Sequence, residues 1–342
     1  MSDEAVGGQT ELMVERPGSF VGKRSERVRV TLAGETLCER PLYGLEQLII
    51  AAGGVSLSSD LVRACAEQGI AITFLSRSGT AYARLMAPGL IGTVRTRREQ
   101  VLAYGDARGV ALAKAFATGK LGNQANLLRY MVKNRRAEPG LYEAVREAAF
   151  QIQEHARRIA ELPGETVEEL RETLLVQEAH AARWYWETAR QLVDAPDWQG
   201  RETRGAVDLV NSCLNYGYGC LYHRIEQAII LAGLDPYAGF IHADRPGKPS
   251  LVLDLIEEFR QPVVDRTVFG MLNRGMKLEL AEGRLTDASR RLLAERITER
   301  LETEEPYQGK RHKLRTIIQL QARRVAAHVR GEASYRPWIT RW

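Results

Sequence analysis

The stretch Leu85-Met86-Ala87-Pro88-Gly89-Leu90 separates two patterns in a chain of 342 residues. Before it, short runs alternate polar and apolar residues, as in Arg27-Val28-Arg29-Val30-Thr31-Leu32, which is typical of half-buried strands. After it, apolar residues recur at helical spacing for most of the chain. The sequence therefore predicts an α+β protein of two domains, in which a small N-terminal β-rich domain (residues 20–90) is followed by a larger all-α C-terminal domain (residues 91–342). Residues 1–19 are predicted to form a flexible leader.

Helices of the C-terminal domain are predicted from apolar spacing and from capping signals. Thr166 is a predicted N-cap, because Glu169 follows it at the spacing of a capping box. The predicted helices cover residues 103–128, 141–162, 166–192, 206–232, 251–259, 264–275, 287–302 and 313–329.

The region around the last predicted helix is strongly basic. The stretch from Gly309 to Arg330 contains no acidic residue and seven basic ones, which are Lys310, Arg311, Lys313, Arg315, Arg323, Arg324 and Arg330. A basic helix face can neutralise DNA phosphates, and the released counterions then drive binding. The run could equally be a solvated face balanced by acids such as Glu302, Glu304 and Glu305. The charge pattern alone leaves both interpretations open.

Composition excludes several classes of protein. With 44% hydrophobic and 27% charged residues, the chain can bury a core and does not resemble a disordered protein. The longest uncharged stretch, Leu209 to His223, is too short and too polar to cross a bilayer. The N-terminus lacks the basic and apolar regions of a secretory signal. The four cysteines show no zinc-binding spacing. We therefore expect a soluble, cytoplasmic protein.

Glu178 is the first candidate for chemistry. It lies in a predicted helix among residues that otherwise suggest packing, with Trp184, Tyr185 and Trp186 close behind. An isolated buried charge is costly, so this carboxylate must be paired, protonated or bound to a metal. The simplest alternative is a salt bridge to Arg183 or to another arginine.

A second candidate site combines a loop with the helix that follows it. His242 precedes a loop rich in proline and glycine, and Asp254 and Glu257 share a face of the next predicted helix. An imidazole beside two carboxylates suits a divalent cation, and the nitrogen ligand would favour Mn²⁺ over Mg²⁺. Each element alone is weak evidence, because such acid pairs are common on surfaces and a single histidine is usually structural.

Several strings, in this order along the chain, resemble the CRISPR-associated endonuclease/integrase family, the Cas-one protein of spacer acquisition. They are GKLGNQ (residues 119–124), EAHAARWYW (178–186), VNSCLNYGYG (210–219), AGLDPYAGFIH (232–242), PSLVLDLIEEFR (249–260), YRPW (335–338) and the terminal Arg341-Trp342. The layout of a sheet domain before a helical domain also matches. Ala179 and Glu258 depart from the glycine and proline that the family commonly has at these positions.

The resemblance implies a catalytic site that binds Mg²⁺ or Mn²⁺ through Glu178, His242 and Glu257, with Asp254 as a further acidic ligand. The implied reaction is phosphodiester exchange, in which the 3′-hydroxyl of a foreign DNA fragment attacks a phosphate of the CRISPR repeat. The resemblance also implies a homodimer formed through the β-rich domain and docking on the small Cas-two protein.

DNA contacts are expected first at Arg245 and Lys248, beside His242, and then in the basic C-terminal run at Lys310, Arg311, Lys313 and Arg315. Such side chains hold the DNA backbone and do not read bases. Two other functions stay open. One is a metal-dependent nuclease of branched or repair DNA without integration, and the other is a non-catalytic DNA-binding scaffold.

Overall fold

The computed structural model describes residues 11–45, 47–76, 81–85, 93–133, 139–203, 205 and 207–342. The chain divides into two compact units, Met1–Ile91 and Gly92–Trp342. The predicted order, a strand-rich part followed by a mostly helical part, is confirmed. The Pro88-Gly89 boundary and the first ten residues of the predicted leader lie outside the described residues.

In its described residues, the N-terminal unit contains two four-stranded sheets and one helix, α1 (Ser59–Glu67). In the first sheet, three parallel strands and one antiparallel edge strand follow the order β1 (Glu11–Val14), β5 (Gln47–Ile50), β7 (Ala71–Leu75) and β8 (Ala81–Leu85). In the second sheet, the order is β4 (Glu35–Pro41), β3 (Arg27–Leu32), β2 (Phe20–Arg24) and β6 (Ser56–Leu57). Alternate residues of these strands, such as Val28 and Val30, are buried in a common core with Leu48, Leu61 and Ile72.

The prediction of a flexible leader is wrong for residues 11–14. These residues form β1, which pairs in parallel with β5 and buries Leu12 and Val14. A four-residue strand is too short to show a clear period, and its partner lies more than thirty residues further along the chain. The pairing therefore depends on a non-local contact that sequence periodicity does not reveal.

The C-terminal unit contains nine α-helices in its described residues. They are α2 (Thr93–Ala103), α3 (Ala107–Val132), α4 (Pro139–Glu161), α5 (Val167–Leu192), α6 (Leu209–Leu231), α7 (Ser250–Ile256), α8 (Arg266–Leu272), α9 (Asp287–Glu302) and α10 (Leu314–Val329). The sequence analysis missed the first of them, α2, because its mostly polar sequence shows no apolar stripe. A π-helical turn, Arg260–Asp265, leads into α8. Helix α3 packs against α4 and α5, and α6 packs against α7 and α10. No helix in the described part of the chain has the length and apolar character needed to cross a membrane.

The C-terminal unit is not all-α, because it also contains two short hairpins. They pair β9 (Leu280–Ala281) with β10 (Arg284–Leu285) and β11 (Glu304–Tyr307) with β12 (Lys310–Lys313). Lys310, Arg311 and Lys313 lie on strand β12 of the second hairpin. The sequence analysis had placed Lys313 in the last predicted helix and the other two just before it. The turn residues of this hairpin, Gln308 and Gly309, both have positive φ angles, which is the backbone of a tight hairpin turn.

Helix α6 offers a direct test of this packing, because two of its glycines differ in surroundings. A Cβ at Gly217 would lie 2.6 Å from Val264 Cγ1, whereas a Cβ at Gly219 would meet nothing within 4 Å. We expect Gly217→Ala to lower stability by about 1–3 kcal/mol through overpacking. Gly219→Ala should be neutral or stabilising, since alanine favours helix. Urea-unfolding midpoints would check this, and equal midpoints for the two variants would contradict the packing described.

Candidate functional site

A lysine lies between two of the predicted catalytic carboxylates. Helix α3 carries Lys120, helix α5 carries Glu178, and Glu257 directly follows helix α7. The Lys120 ammonium contacts Glu178 Oε1 and lies 2.9 Å from Glu257 Oε2. The exposed fractions of the Lys120, Glu178 and Glu257 side chains are only 12%, 16% and 3%. The structure therefore brings two predicted ligands from distant parts of the chain to one buried positive charge.

Electrostatics keep Glu257 and Lys120 ionised. Burial by itself would raise the pKa of Glu257, but the charges of Arg260 and Lys120 outweigh burial and lower that pKa to about 2. Burial would likewise lower the pKa of Lys120, but Glu178 and Glu257 raise it above its ordinary value. Arg260 Nη1 lies 3.4 Å from Glu257 Oε1, and its guanidinium stacks over the ring of Tyr218. Two carboxylates and two cations thus compensate each other in a site with little water.

Asp254 positions the loop that carries His242. Its Oδ2 accepts hydrogen bonds from the backbone N–H groups of Phe240 (2.5 Å) and Ile241 (3.0 Å). Its Oδ1 accepts from the backbone N–H of His242 (3.0 Å) and from His242 Nδ1 (2.7 Å). A carboxylate has about four acceptor positions, so none remains for a metal ion. We therefore reassign Asp254 from metal ligand to positioning residue.

The same contact sets the tautomer of His242. Because the carboxylate of Asp254 can only accept, His242 Nδ1 carries the hydrogen and Nε2 keeps the lone pair of the neutral ring. The side chain of His242 is 25% exposed. An imidazole held in this way is prepared to ligate a metal through Nε2.

The donor set fits a hard divalent cation. Glu257 Oε2 is buried and accepts no hydrogen bond of normal geometry, although Lys120 lies close to it. This oxygen, the carboxylate of Glu178 and one imidazole nitrogen are the ligand types that Mg²⁺ and Mn²⁺ take. In the conformation seen, the described residues contain no group of three or more His, Cys, Asp or Glu side chains placed to hold an ion. Glu178, His242 and Glu257 remain the predicted ligands.

Glu258 is a buried carboxylate that sequence reasoning did not assign to a role. It accepts hydrogen bonds from Tyr335 Oη, Gln321 Nε2 (2.9 Å) and the backbone N–H of Trp338 (2.9 Å). Burial raises its pKa to about 7 in spite of these donors. Gly119 allows the close approach, since a Cβ there would lie 2.7 Å from Pro337 Cβ and 3.0 Å from Glu258 Cγ. Glu258 thus ties the C-terminal segment to the backbone that bears Glu257.

The predicted DNA-binding residues lie in two separate places. Arg245 and Lys248 lie in a tight turn just after His242, where Lys248 N donates to Arg245 O over 2.9 Å. The side chain of Arg245 is exposed and that of Lys248 is half-buried.

The four residues of the C-terminal run that were predicted to bind DNA have different surroundings. Lys313 and Arg315 pair with Glu302 at 2.7 and 2.9 Å, and Arg311 lies 3.7 Å from Glu304. Lys310 is exposed beside them on β12. The interpretation of a basic face balanced by acids therefore holds for Lys313 and Arg315 and, at a longer distance, for Arg311.

Two comparisons of sequence identify the family. The family described as "CRISPR associated protein Cas1" matches residues 12–299. A protein from Archaeoglobus fulgidus named CRISPR-associated endonuclease Cas1 1 is 38% identical over 97% of this chain and 99% of its own length. The chain belongs to the Cas1 family. A second member, CRISPR-associated endonuclease Cas1 from Korarchaeum cryptofilum, is 32% identical over 96% of this chain and 98% of its own length.

Solved structures share the Cas1 fold seen here. A Cas1 protein from Thermotoga maritima superposes with a TM-score of 0.75 at 18% identity, covering 95% of this chain and 98% of that one. A casposase bound to integration product superposes with a TM-score of 0.77 at 22% identity, covering 96% of this chain and 92% of that one. A Cas6-RT-Cas1–Cas2 complex gives a TM-score of 0.72 at 16% identity, over 99% of this chain and 37% of that one.

The cluster around Lys120 can be tested by its effect on stability. We expect Lys120→Met to cost about 3–5 kcal/mol, because two buried carboxylates would lose the cation between them. Adding Glu178→Gln to this variant should recover part of the loss, because it removes one of the unpaired charges. Urea unfolding of the single and double variants in EDTA would measure both effects. Strictly additive losses would contradict a shared ion cluster.

Proposed function

We propose that this chain is a metal-dependent DNA endonuclease and integrase that inserts foreign DNA fragments into a CRISPR array. In this reaction the 3′-hydroxyl of a fragment attacks a phosphodiester of the repeat. One observation carries the proposal: Glu178, on α5, and Glu257, at the end of α7, converge on the ammonium of Lys120, and Asp254, three residues before Glu257, holds the ring of His242. Membership of the Cas1 family, the endonuclease names of its relatives and the integration product bound to the casposase support it.

Glu178, Glu257 and His242 Nε2 would hold the Mg²⁺ or Mn²⁺ ion. When bound, such an ion supplies Lewis acidity to phosphoryl oxygens and to the attacking or leaving oxygen. Neighbouring residues set the charge of Glu257 and the orientation of His242. Lys120 and Arg260 keep Glu257 ionised at neutral pH, so no proton has to leave Glu257 before it ligates. Asp254 fixes the imidazole so that Nε2 presents a lone pair.

Lys120 has a further task when the ion is absent. Its ammonium neutralises the two acids and holds them near the separation that a shared cation requires. Because Glu178 and Glu257 would hold either cation, Lys120 would have to give up these contacts for the ion to be bound. Arg245 and Lys248, in the turn that follows His242, are placed to hold the DNA backbone beside this site.

The proposed partners follow from the family and from one structural neighbour. DNA is the proposed substrate, both as fragment ends and as the CRISPR repeat. The Cas6-RT-Cas1–Cas2 complex, whose fold matches this chain, supports a Cas2 protein as partner in an adaptation complex. We also propose a homodimer, formed through the N-terminal strand-rich unit.

A strand-transfer assay tests the proposed reaction. A labelled DNA fragment would be incubated with a supercoiled plasmid carrying a CRISPR repeat, in Mn²⁺ and with the matching Cas2 protein. We expect wild type to join the fragment to the plasmid and Glu178→Ala to lose at least about a hundredfold in rate, because one charged ligand of the reacting site is gone. Glu172→Ala is the matched control, since Glu172 is an exposed glutamate of the same helix.

The same assay separates the other two functions. Cleavage of DNA that depends on Glu178 but gives no joined product would favour a nuclease without integration. DNA binding with no turnover in wild type or in Glu178→Ala would favour a non-catalytic scaffold. Equal loss in Glu172→Ala and Glu178→Ala would show that the assay does not report the candidate site.

A further inference from the structure

Helix α2 buries an amide side chain against the loop that leads to His242. The buried residues of this mostly polar helix are Thr96, Gln100 and Ala103. Gln100 is only 1% exposed, although its side chain carries two donor hydrogens and an acceptor oxygen. A buried amide is costly unless these groups are paired. The partners of Gln100 therefore indicate what α2 holds in place.

Three hydrogen bonds join the amide of Gln100 to the backbone of one turn. Nε2 donates to Asp235 O over 2.9 Å and to Ala238 O over 2.7 Å, and Oε1 accepts from Asp235 N over 2.8 Å. Two carbonyl groups require the donors of the amide and one N–H requires its acceptor, so the partners fix which way the amide is turned. Gln100 thus holds both ends of the turn from Asp235 to Ala238.

The other side of this turn contacts the start of helix α7. Pro236 O accepts from Leu251 N over 3.0 Å, and Ser250 Oγ accepts from Gly239 N over 2.8 Å. The contact is close, since a Cβ at Gly239 would lie 2.6 Å from the backbone of Ser250. The turn is therefore held between α2 and α7.

The segment from this turn to His242 is bonded to α7 at every residue. After Gly239, the N–H groups of residues 240–242 all donate to the carboxylate of Asp254. A shift of the turn must therefore either break these hydrogen bonds or move the loop with it. Helix α7 has only seven residues, and so short a helix needs support from tertiary contacts. Gln100 supplies that support from a different helix.

We propose that Gln100 is a positioning residue of the reaction, which sets the place of His242 through the turn at residues 235–238. Asp254 sets the orientation of the imidazole, whereas Gln100 acts on the backbone that carries it. The inference rests on the proposed function, because the place of His242 affects the reaction only if this imidazole ligates the metal ion.

A variant of Gln100 and a matched control from the same helix test this inference. Gln100→Met keeps a side chain of similar length but can neither donate to the two carbonyl groups nor accept from the N–H. The control is Thr96→Val, which alters the other buried polar side chain of α2, one turn earlier. The hydroxyl of Thr96 accepts from Arg330 Nη1 over 2.9 Å and lies outside the contacts of the turn. Circular dichroism would confirm that both variants are folded.

Hydrogen exchange of the full chain in EDTA measures the hold on the loop without metal or DNA. We expect Gln100→Met to exchange the amide hydrogens of residues 240–242 about tenfold faster than wild type, because lost hydrogen bonds lower the cost of local opening. Thr96→Val should keep the wild-type rates. In wild type, the amides of Asp235 and of residues 240–242 should exchange at similar rates, since the turn and the loop open together.

Binding of Mn²⁺, followed by the electron paramagnetic resonance signal of the free ion, measures the effect on the metal site. We expect the dissociation constant to rise about tenfold in Gln100→Met and to stay unchanged in Thr96→Val, because residues that orient a metal ligand affect metal affinity by about this factor or more. In strand transfer, more Mn²⁺ should restore much of the rate of Gln100→Met, while its apparent KM for the DNA fragment stays at the wild-type value.

Three results would overturn the inference. Faster exchange at Asp235 alone, in wild type or in Gln100→Met, would show that the turn moves without the loop. An equal loss of Mn²⁺ affinity in Thr96→Val would reflect a general loosening of α2. A strand-transfer rate that falls in Gln100→Met with unchanged Mn²⁺ dependence would show a loss of active protein only.

Failure of this inference can be distinguished from failure of the proposed function. A wild-type chain that binds Mn²⁺ and joins strands, with Gln100→Met equal to it in exchange and in Mn²⁺ affinity, refutes this inference alone. A wild-type chain that neither binds Mn²⁺ nor joins strands refutes the proposed function, and the role of Gln100 in the reaction falls with it.

Discussion

Two acidic side chains from separate helices repel each other when they are buried together, and this constraint shapes the helical unit. Lys120 resolves it by placing an ammonium between Glu178 and Glu257, while Arg260 supports Glu257 from the other side. Charged groups in a poorly hydrated site are stable only when they are compensated and well placed. The arrangement of α3, α5 and the end of α7 thus keeps two anionic side chains together around one cation.

A second set of polar contacts, made by Glu258, supports the backbone next to Glu257. Glu258 is the next residue after Glu257, and it receives hydrogen bonds from Tyr335, Gln321 and Trp338. The C-terminal segment and helix α10 are therefore connected to the backbone of a predicted ligand. Glu258, which stands where the family commonly has proline, therefore has a structural role.

Much of the helical unit could be predicted from apolar spacing, because long amphipathic helices carry a strong periodic signal. The candidate acids were found for the same reason: Glu178 interrupts an apolar pattern. Lys120 entered the sequence analysis only as a member of the string GKLGNQ, and no role was predicted for it. Nothing in the sequence near Lys120 shows that its ammonium, on α3, meets acids from α5 and from the end of α7. The strand Lys310–Lys313 was missed because its hairpin depends on two turn residues, Gln308 and Gly309, within an apparently continuous basic segment. Such long-range and turn-dependent features are determined by tertiary contacts.

The saturated carboxylate of Asp254 restricts what this position accepts. Asparagine has nearly the same shape, but it replaces one acceptor oxygen with an amide that donates. That amide would face backbone N–H groups of Phe240 and Ile241, or the ring and backbone N–H of His242, so donors would oppose donors whichever way it turned. The isosteric amide is therefore no conservative replacement here, because it would weaken the contacts that hold the loop of His242, a predicted ligand.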